Sequence, residues 1–564
     1  MRAMLNSVIR SAALMVGAAL VLSAPVAAQD AGVEARIAGM TVAQKAAQMM
    51  MVTLHGAYPL DADAAFLRDF QPGGLAIFND NVQSPDQLTR LTNSFQQTIT
   101  GAGAPALLIA VDQEGGVVTR LNPEQGFWRL PAAIVLTAAG PDVSAEAGRL
   151  TAEQLLAVGI QMNLAPVADL ETNRDNPIIY RRGFSNDPTV GAEAVAGFVR
   201  GAADAGGLTT AKHFPGHGET STDSHAELPR LDLTRERLDS VELVPFRAAM
   251  AAGVDAVMVA HIWFPAFDAE RTPASLSHNV VTGLLREELG YDGLIMTDAM
   301  DMNAVDMFVP FSEAAVRAIE AGVDMLALGP SIGRDAAQQA LGAVVAAVEQ
   351  GRISEARLDE SLRRIFAAKA RAGLFDWQPL DPATAAARVD APGGESFIEY
   401  LFTQAATVAL DRNNLVPVPA GAKVALIFLA TRYQIQAECS RYADPNLTRW
   451  VGVGDNPGPD EIGWAVEAAN ASDVVIVWTQ DAIRNPDQQA LVNALPQEKT
   501  IAVSLWSPYD WQTYPNVAGY ALAYSPLRQS VPPVCAALFG AAEAPGQLAV
   551  TLGPDLVAGS RDER

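Results

Sequence analysis

The chain has 564 residues, 49% of them hydrophobic and 18% charged, which is too long for one ordinary core and too apolar for a disordered chain. Its 64 acidic residues against 39 basic ones give a net charge of −25, which repels a phosphate backbone, so no nucleic-acid partner is expected. At the N-terminus Arg2 and Arg10 flank the start of an apolar run, SAALMVGAALVLSA, that closes on the small-residue site PVAAQD. This pattern predicts a secretory signal over residues 1–28, cut after Ala28, and an exported protein, periplasmic or secreted. The run is shorter than the ~20 residues of a membrane span, so no stable membrane insertion is expected after cleavage.

Eight apolar runs follow between residues 48 and 329: MMMVTLHG, GGLAIFN, ALLIAVDQEGG, IQMNLAPVAD, GLTTAKHFPG, AVMVAHIWFP, GLIMTDAM and VDMLALGP. Each leads through a polar or glycine-rich turn into a helical pattern. Near-continuous hydrophobic strands alternating with helices indicate a parallel sheet covered on both faces. Eight of them predict a (β/α)8 TIM-type barrel over residues 29–375, with a doubly wound open sheet as the rival. Asp112, Lys212, His213, His261 and Asp298 each stand just after an apolar run, where barrel enzymes build their active face.

The amphipathic stretch ARLDESLRRIFAAKARAGLF closes this unit. Residues 376–396, rich in Pro, Gly and Ala, have the composition of a linker. The strand signals KVALIFLA, DVVIVWTQ, TIAVSLWSP and GYALAYSP then predict a smaller α/β sandwich over residues 397–564. Its two cysteines, Cys439 and Cys535, suit an oxidising compartment, but spacing alone leaves their pairing open.

Residues 211–230, AKHFPGHGETSTDSHAELPR, hold three of the six histidines. His213 and His217 have the four-residue spacing of a helical zinc pair, but Pro215 and Gly216 between them make the segment a loop. The glycines lack the longer pattern of a phosphate cradle. In an extended loop Asp223 and His225 project to the same side, so the carboxylate can orient and charge the imidazole for acid/base work; a structural Asp–His pair explains the same residues. No G-x-S-x-G elbow supplies a serine nucleophile. Asp298, after its strand, is either a helix N-cap or a carboxylate placed to attack a sugar carbon.

KHFPGHGETSTDSH, VDQEGG with a following Arg, PIIYRRGFSNDP, PASLSHNVVTGLLREELGYDGLIMTDAM and AGVDMLALG together resemble the bacterial β-N-acetylglucosaminidases of glycoside hydrolase family 3. The resemblance covers about residues 35 to 375. It implies a retaining β-N-acetylhexosaminidase that releases terminal N-acetylglucosamine from cell-wall or chitin-type glycans, without metal or organic cofactor. By matching positions it makes Asp298 the nucleophile, His225 the general acid/base and Asp223 its partner. It places the sugar on Asp112, Arg120, Arg182, Lys212 and His213, whereas His217 and Gly216 shape the loop. Two departures bear on the pocket: Val117 stands where many relatives carry Arg, and Ala299 where many carry a second Asp. Rival expectations are a family 3 β-glucosidase, an N-acetylglucosaminide phosphorylase and a catalytically silent glycan-binding protein. Oligomeric state and aglycone are not legible.

Overall fold

The computed structural model describes residues 32–222, 227–391 and 393–561; the expected signal segment lies outside them. All eight apolar runs form strands of one parallel sheet: β1 (Met50–Thr53), β2 (Gly74–Ile77), β3 (Leu108–Val111), β4 (Met162–Asn163), β5 (Leu208–Phe214), β6 (Ala256–Val259), β7 (Leu294–Thr297) and β8 (Leu326–Ala327). From β1 to β7 each strand pairs with the next, and β8 pairs with β1 in the register Met50 to Leu326 and Met51 to Ala327. A bridge between Met296 and Met325, with Thr297 N donating to Met325 O at 3.1 Å, closes the remaining gap. The sheet is therefore a barrel and not an open, doubly wound sheet.

Burial explains the runs. Every residue of β3 is fully buried, because the barrel interior covers one face and the helical ring the other. The helix Pro188–Asp204 starts on Asp187, whose carboxylate accepts from Thr189 N at 2.9 Å and Val190 N at 3.0 Å, while Pro188 fills the first position, which needs no N–H. It lies so close to helix Pro141–Leu156 that a Cβ on Gly201 would stand 1.7 Å from the Ala145 carbonyl oxygen. Gly201→Ala would push the two helices apart.

A second, six-stranded sheet follows: β9 (Thr407–Asp411), β10 (Val424–Leu429), β11 (Thr448–Val453), β12 (Val474–Thr479), β13 (Thr500–Ser504) and β14 (Gly519–Leu522). Its order is β9-β14-β13-β12-β10-β11, parallel except for β9 at one edge. Cys439 and Cys535 form a disulfide with Cα atoms 5.0 Å apart, tying helix Gln434–Cys439 to helix Val531–Leu538 in a core of its own.

The Pro-, Gly- and Ala-rich stretch between the sheets runs along the barrel. Leu380 exchanges hydrogen bonds with Asn93, Arg388 donates to the Ala157 carbonyl, and helix Gly394–Ala405 packs on helix Ala133–Ala139. The loop before helix Pro188–Asp204 also meets the segment that follows the second sheet. Ser185 Oγ donates to Ala549 O at 2.6 Å, and Asn186 and Thr551 exchange two bonds of 2.8 Å.

Candidate active site

The carboxyl ends of the barrel strands surround a cavity of about 540 Å³. Six of the residues singled out in the sequence line it: Asp112, Arg120, Arg182, Lys212, His213 and Asp298. Asp223 and His225 lie outside the described residues.

Asp112 leaves β3 and is followed by a hairpin, Gln113–Gly115 with Val118–Thr119, that returns Arg120 to the same wall. The Gln113 side-chain oxygen holds the turn together by accepting from Arg120 N at 3.0 Å and Leu121 N at 3.1 Å. Lys212 and His213 are neighbours in β5, and a regular strand would send them to opposite faces. The register against β6 slips between Lys212 and Phe214, and both side chains reach the cavity.

A chain of opposite charges fixes this wall. Lys212 Nζ lies 2.7 Å from Asp112 Oδ1 and 2.7 Å from Glu114 Oε1. Glu114 in turn receives Arg182 through two parallel bonds, 2.8 Å to Oε2 and 2.7 Å to Oε1. Burial works against each charge, yet Asp112 and Glu114 hold the Lys212 ammonium above its ordinary value, and Arg182 and Lys212 hold Glu114 far below its own. The salt-bridge role and the cavity-lining role of Lys212 and Arg182 thus coexist. Arg120 reaches Asn79 Oδ1 at 3.2 Å, lies 3.5 Å from Asp112 Oδ2 and stacks over Phe78.

His213 is oriented by buried Asp169, which follows β4. Asp169 Oδ2 accepts from His213 N at 3.1 Å and sits 2.7 Å from Nδ1, while Oδ1 accepts from His217 N at 2.6 Å. Burial pushes Asp169 up, but the two histidines outweigh it and keep the carboxyl below its ordinary range. His217 also lines the cavity, beyond the loop-shaping role expected for it. Its Nδ1 is 2.9 Å from Thr220 Oγ1, and burial presses the ring down to about 4, so it is neutral at pH 7. The loop wraps so tightly that a Cβ on Gly218 would stand 1.7 Å from the Leu170 carbonyl oxygen. The rings of His213 and His217 are 5.8 Å apart, edge to face, with each Nδ1 engaged by another residue. Among the described residues no group of three or more His, Cys, Asp or Glu side chains has the arrangement of a metal site.

Asp298 leaves β7 with its backbone N–H on Val259 O at 3.0 Å, and Ala299 N donates to its Oδ1 at 2.7 Å. No helix starts on it; the next one begins at Asn303, so the N-cap alternative does not apply. Burial raises its pKa, but His213, His261, the Ala299 N–H and Lys212 together bring it below the ordinary carboxylate value. An ionised carboxylate, a fixed ammonium, a fixed guanidinium and an oriented imidazole thus share one concave site, an arrangement suited to a polyhydroxylated ligand.

A family model, Glycosyl hydrolase family 3 N terminal domain, matches residues 41–368. The chain belongs to glycosyl hydrolase family 3. This family 3 hydrolase is 30% identical over 499 residues to Beta-hexosaminidase A of Pseudoalteromonas piscicida, covering 80% of this chain and 82% of that protein. It is 38% identical over 286 residues to a Beta-hexosaminidase of Alkalilimnicola ehrlichii, covering 50% of this chain and 80% of that one. Among solved structures, the family 3 β-N-acetylglucosaminidase from Paenibacillus sp. str. FPU-7 superposes with a TM-score of 0.74 at 34% identity, covering 91% of this chain and 99% of that one.

Two residues that organise the family 3 site were not among the sequence candidates. Glu114 stands two places after Asp112 in VDQEGG, and Asp169 ends the run IQMNLAPVAD. Both are carboxylates at the polar end of an apolar run, the same signal that marked Asp112 and Asp298.

Proposed function

We propose that this family 3 hydrolase releases terminal non-reducing β-linked N-acetylhexosamine, N-acetylglucosamine in particular, from cell-wall or chitin-type oligosaccharides with retention of configuration. The observation that carries the reading is an ionised Asp298 in the same cavity as the loop that runs into the D-S-H segment. His217 lines that cavity and Asp223 follows six residues later, a reach of at most about 20 Å of extended chain. The hexosaminidase names of the relatives support the substrate class.

In the first step an Asp298 oxygen attacks the anomeric carbon as the bond to the leaving oxygen breaks. The leaving oxygen takes its proton from the His225 imidazolium, whose charge Asp223 supports, and a glycosyl ester on Asp298 results. In the second step neutral His225 takes a proton from water, the water oxygen attacks the same carbon, and the ester breaks to restore the Asp298 carboxylate. Asp112 accepts from sugar hydroxyls, while Arg120, Arg182, Lys212 and His213 donate to hydroxyl and acetamido oxygens. Because Lys212 and Arg182 are already paired, they present donors of fixed direction at little further ordering cost. The Cys439–Cys535 disulfide supports an exported enzyme, since such bonds persist in oxidising compartments.

The test is turnover of an aryl β-N-acetylglucosaminide beside the matching β-glucoside. Asp298→Ala is expected to lose roughly a thousandfold or more in kcat, and His225→Ala to lose most on poor leaving groups. Full activity in either variant refutes the roles. Faster glucoside turnover would make the protein a β-glucosidase, sugar phosphate formed in phosphate buffer a phosphorylase, and binding without turnover a glycan-binding protein.

A further inference from the structure

In open α/β sheets the crevice beyond the carboxyl ends of the strands is the usual ligand position. In the second sheet the barrel's own Tyr180 and Arg181 fill the part of it beyond β12 and β13. Asp481, two residues past β12, lies 2.5 Å from Arg181 Nη2 and accepts from Tyr180 Oη at 2.9 Å. Trp506, just past β13, stacks under the Arg181 guanidinium at 3.4 Å, and Ser507 Oγ is 3.0 Å from Tyr180 Oη. Arg181 and Asp481 both hold left-handed backbone, with φ of 70° and 56°. Long or charged side chains persist there only where the surroundings over-determine the conformation.

The residue after this clamp is Arg182, whose guanidinium lines the cavity and grips Glu114. Arg182 N donates to Ile179 O at 2.7 Å, so Tyr180, Arg181 and Arg182 sit on one tight turn, two pointing to the second sheet and one to the site. The other side of the turn is anchored by Asn176, which accepts from Ile178 N and Ile179 N and donates to the carbonyls of His217 and Gly218. Displacing the clamp must therefore move Arg182, because no flexible residue separates them.

We propose that Asp481 and Trp506, neither of which lines the cavity, are positioning residues of the second sheet that aim Arg182 at bound sugar. Their contribution is to substrate binding, and it rests on the sugar-binding role proposed for Arg182. The second sheet is thus a working part of the hydrolase site.

A double-mutant cycle tests this on the full chain with an aryl β-N-acetylglucosaminide. Asp481→Ala and Trp506→Ala are expected to raise KM about five- to tenfold with kcat changed less than about twofold, and Trp506→Phe to recover most of the loss. In an Arg182→Ala background Asp481→Ala is expected to add nothing further. A full, additive effect of Asp481→Ala in that background, or an unchanged KM in the single variants, overturns the proposal. If Asp481→Ala fails to fold, Tyr180→Phe, which removes only the hydrogen bonds of Oη to Asp481 and Ser507 and from Arg181 Nη2, takes its place in the same cycle. If the unsubstituted protein turns over no aryl glycoside, the proposed function fails on its own. The clamp is then read from the Kd of N-acetylglucosamine in the same cycle, and an unchanged Kd overturns it.

Discussion

Arg182 and Glu114 meet through two parallel bonds, 2.8 and 2.7 Å long, with side chains only 12% and 4% exposed. Lys212 binds the same carboxylate at 2.7 Å, so Glu114 balances two cations, one from β5 and one from the loop between β4 and β5. Glu114→Gln puts an amide against one of those cations and removes the charge from both. Breaking a buried pair in this way costs about 3–5 kcal/mol, which chemical denaturation will read as a lowered midpoint at unchanged slope. The variant should also raise KM, because Arg182 loses its brace. Wild-type stability would mean that Asp112 alone holds Lys212 and that Glu114 is dispensable.

The acid limb of activity carries a second prediction. Asp298 must be ionised to attack, and His213, His261 and Lys212 hold its pKa under the ordinary 3.8 against the upward push of burial. A lowered carboxylate pKa contributes stability that is present above 3.8 and lost as pH falls through the folded-state value. In kcat/KM, measured after brief exposure so that unfolding does not intrude, the limb belonging to Asp298 should lie below 3.8. A nucleophile titrating above pH ~5 would contradict the electrostatics described for the site.

Glu171 predicts an opposite dependence. It is buried where the two sheets meet, with Arg181 N donating to Oε1 at 2.9 Å and Tyr509 Oη 3.4 Å from Oε2, and burial pushes its pKa up from 4.5 to about 8. The folded state therefore holds a proton that the unfolded chain releases. Its contribution is fully present below 4.5 and is lost as pH rises toward about 8. Glu171→Gln should remove that slope and gain on the order of a few kcal/mol over the wild type above pH 8. Parallel stability curves for the two proteins between pH 5 and 9 would contradict a protonated Glu171.

The disulfide closes a loop of 96 residues within the second sheet's core. Replacing both cysteines by Ser should lower stability by about 2–4 kcal/mol. Neither cysteine lines the cavity, so kcat and KM below the unfolding transition should not move. A turnover loss without a stability loss would contradict this separation.

The barrel was legible because parallel strands buried on both faces are written as unbroken apolar runs, and all eight runs became strands. In the second sheet the four central strands were legible for the same reason. β9 and β11 were not: they are edge strands, β9 alternating buried with half-buried residues and β11 exposing Arg449 and Gly452, and TRWVGV lacks the continuous apolar signal. Asp298 could be read from its place after a strand, and Lys212 from its place at the polar end of an apolar run, although that residue lies within β5 and not after it. The joining of Glu114 to Arg182 and of Asp169 to His213 could not, because each joins residues more than forty positions apart, and only the closed barrel brings them together. The tight docking of residues 376–396 was likewise hidden, since a segment held by a few polar bonds has the composition of a free linker.

The central claim is that Asp298 forms a covalent bond to the anomeric carbon. Incubation with a fluorinated N-acetylglucosaminyl fluoride that slows hydrolysis of the ester, followed by peptide mapping, tests it directly. A stoichiometric mass increase on the peptide containing residues 294–303, localised to Asp298, is the predicted result. A label on any other residue, or rapid turnover of the reagent with inversion and no adduct, would contradict it.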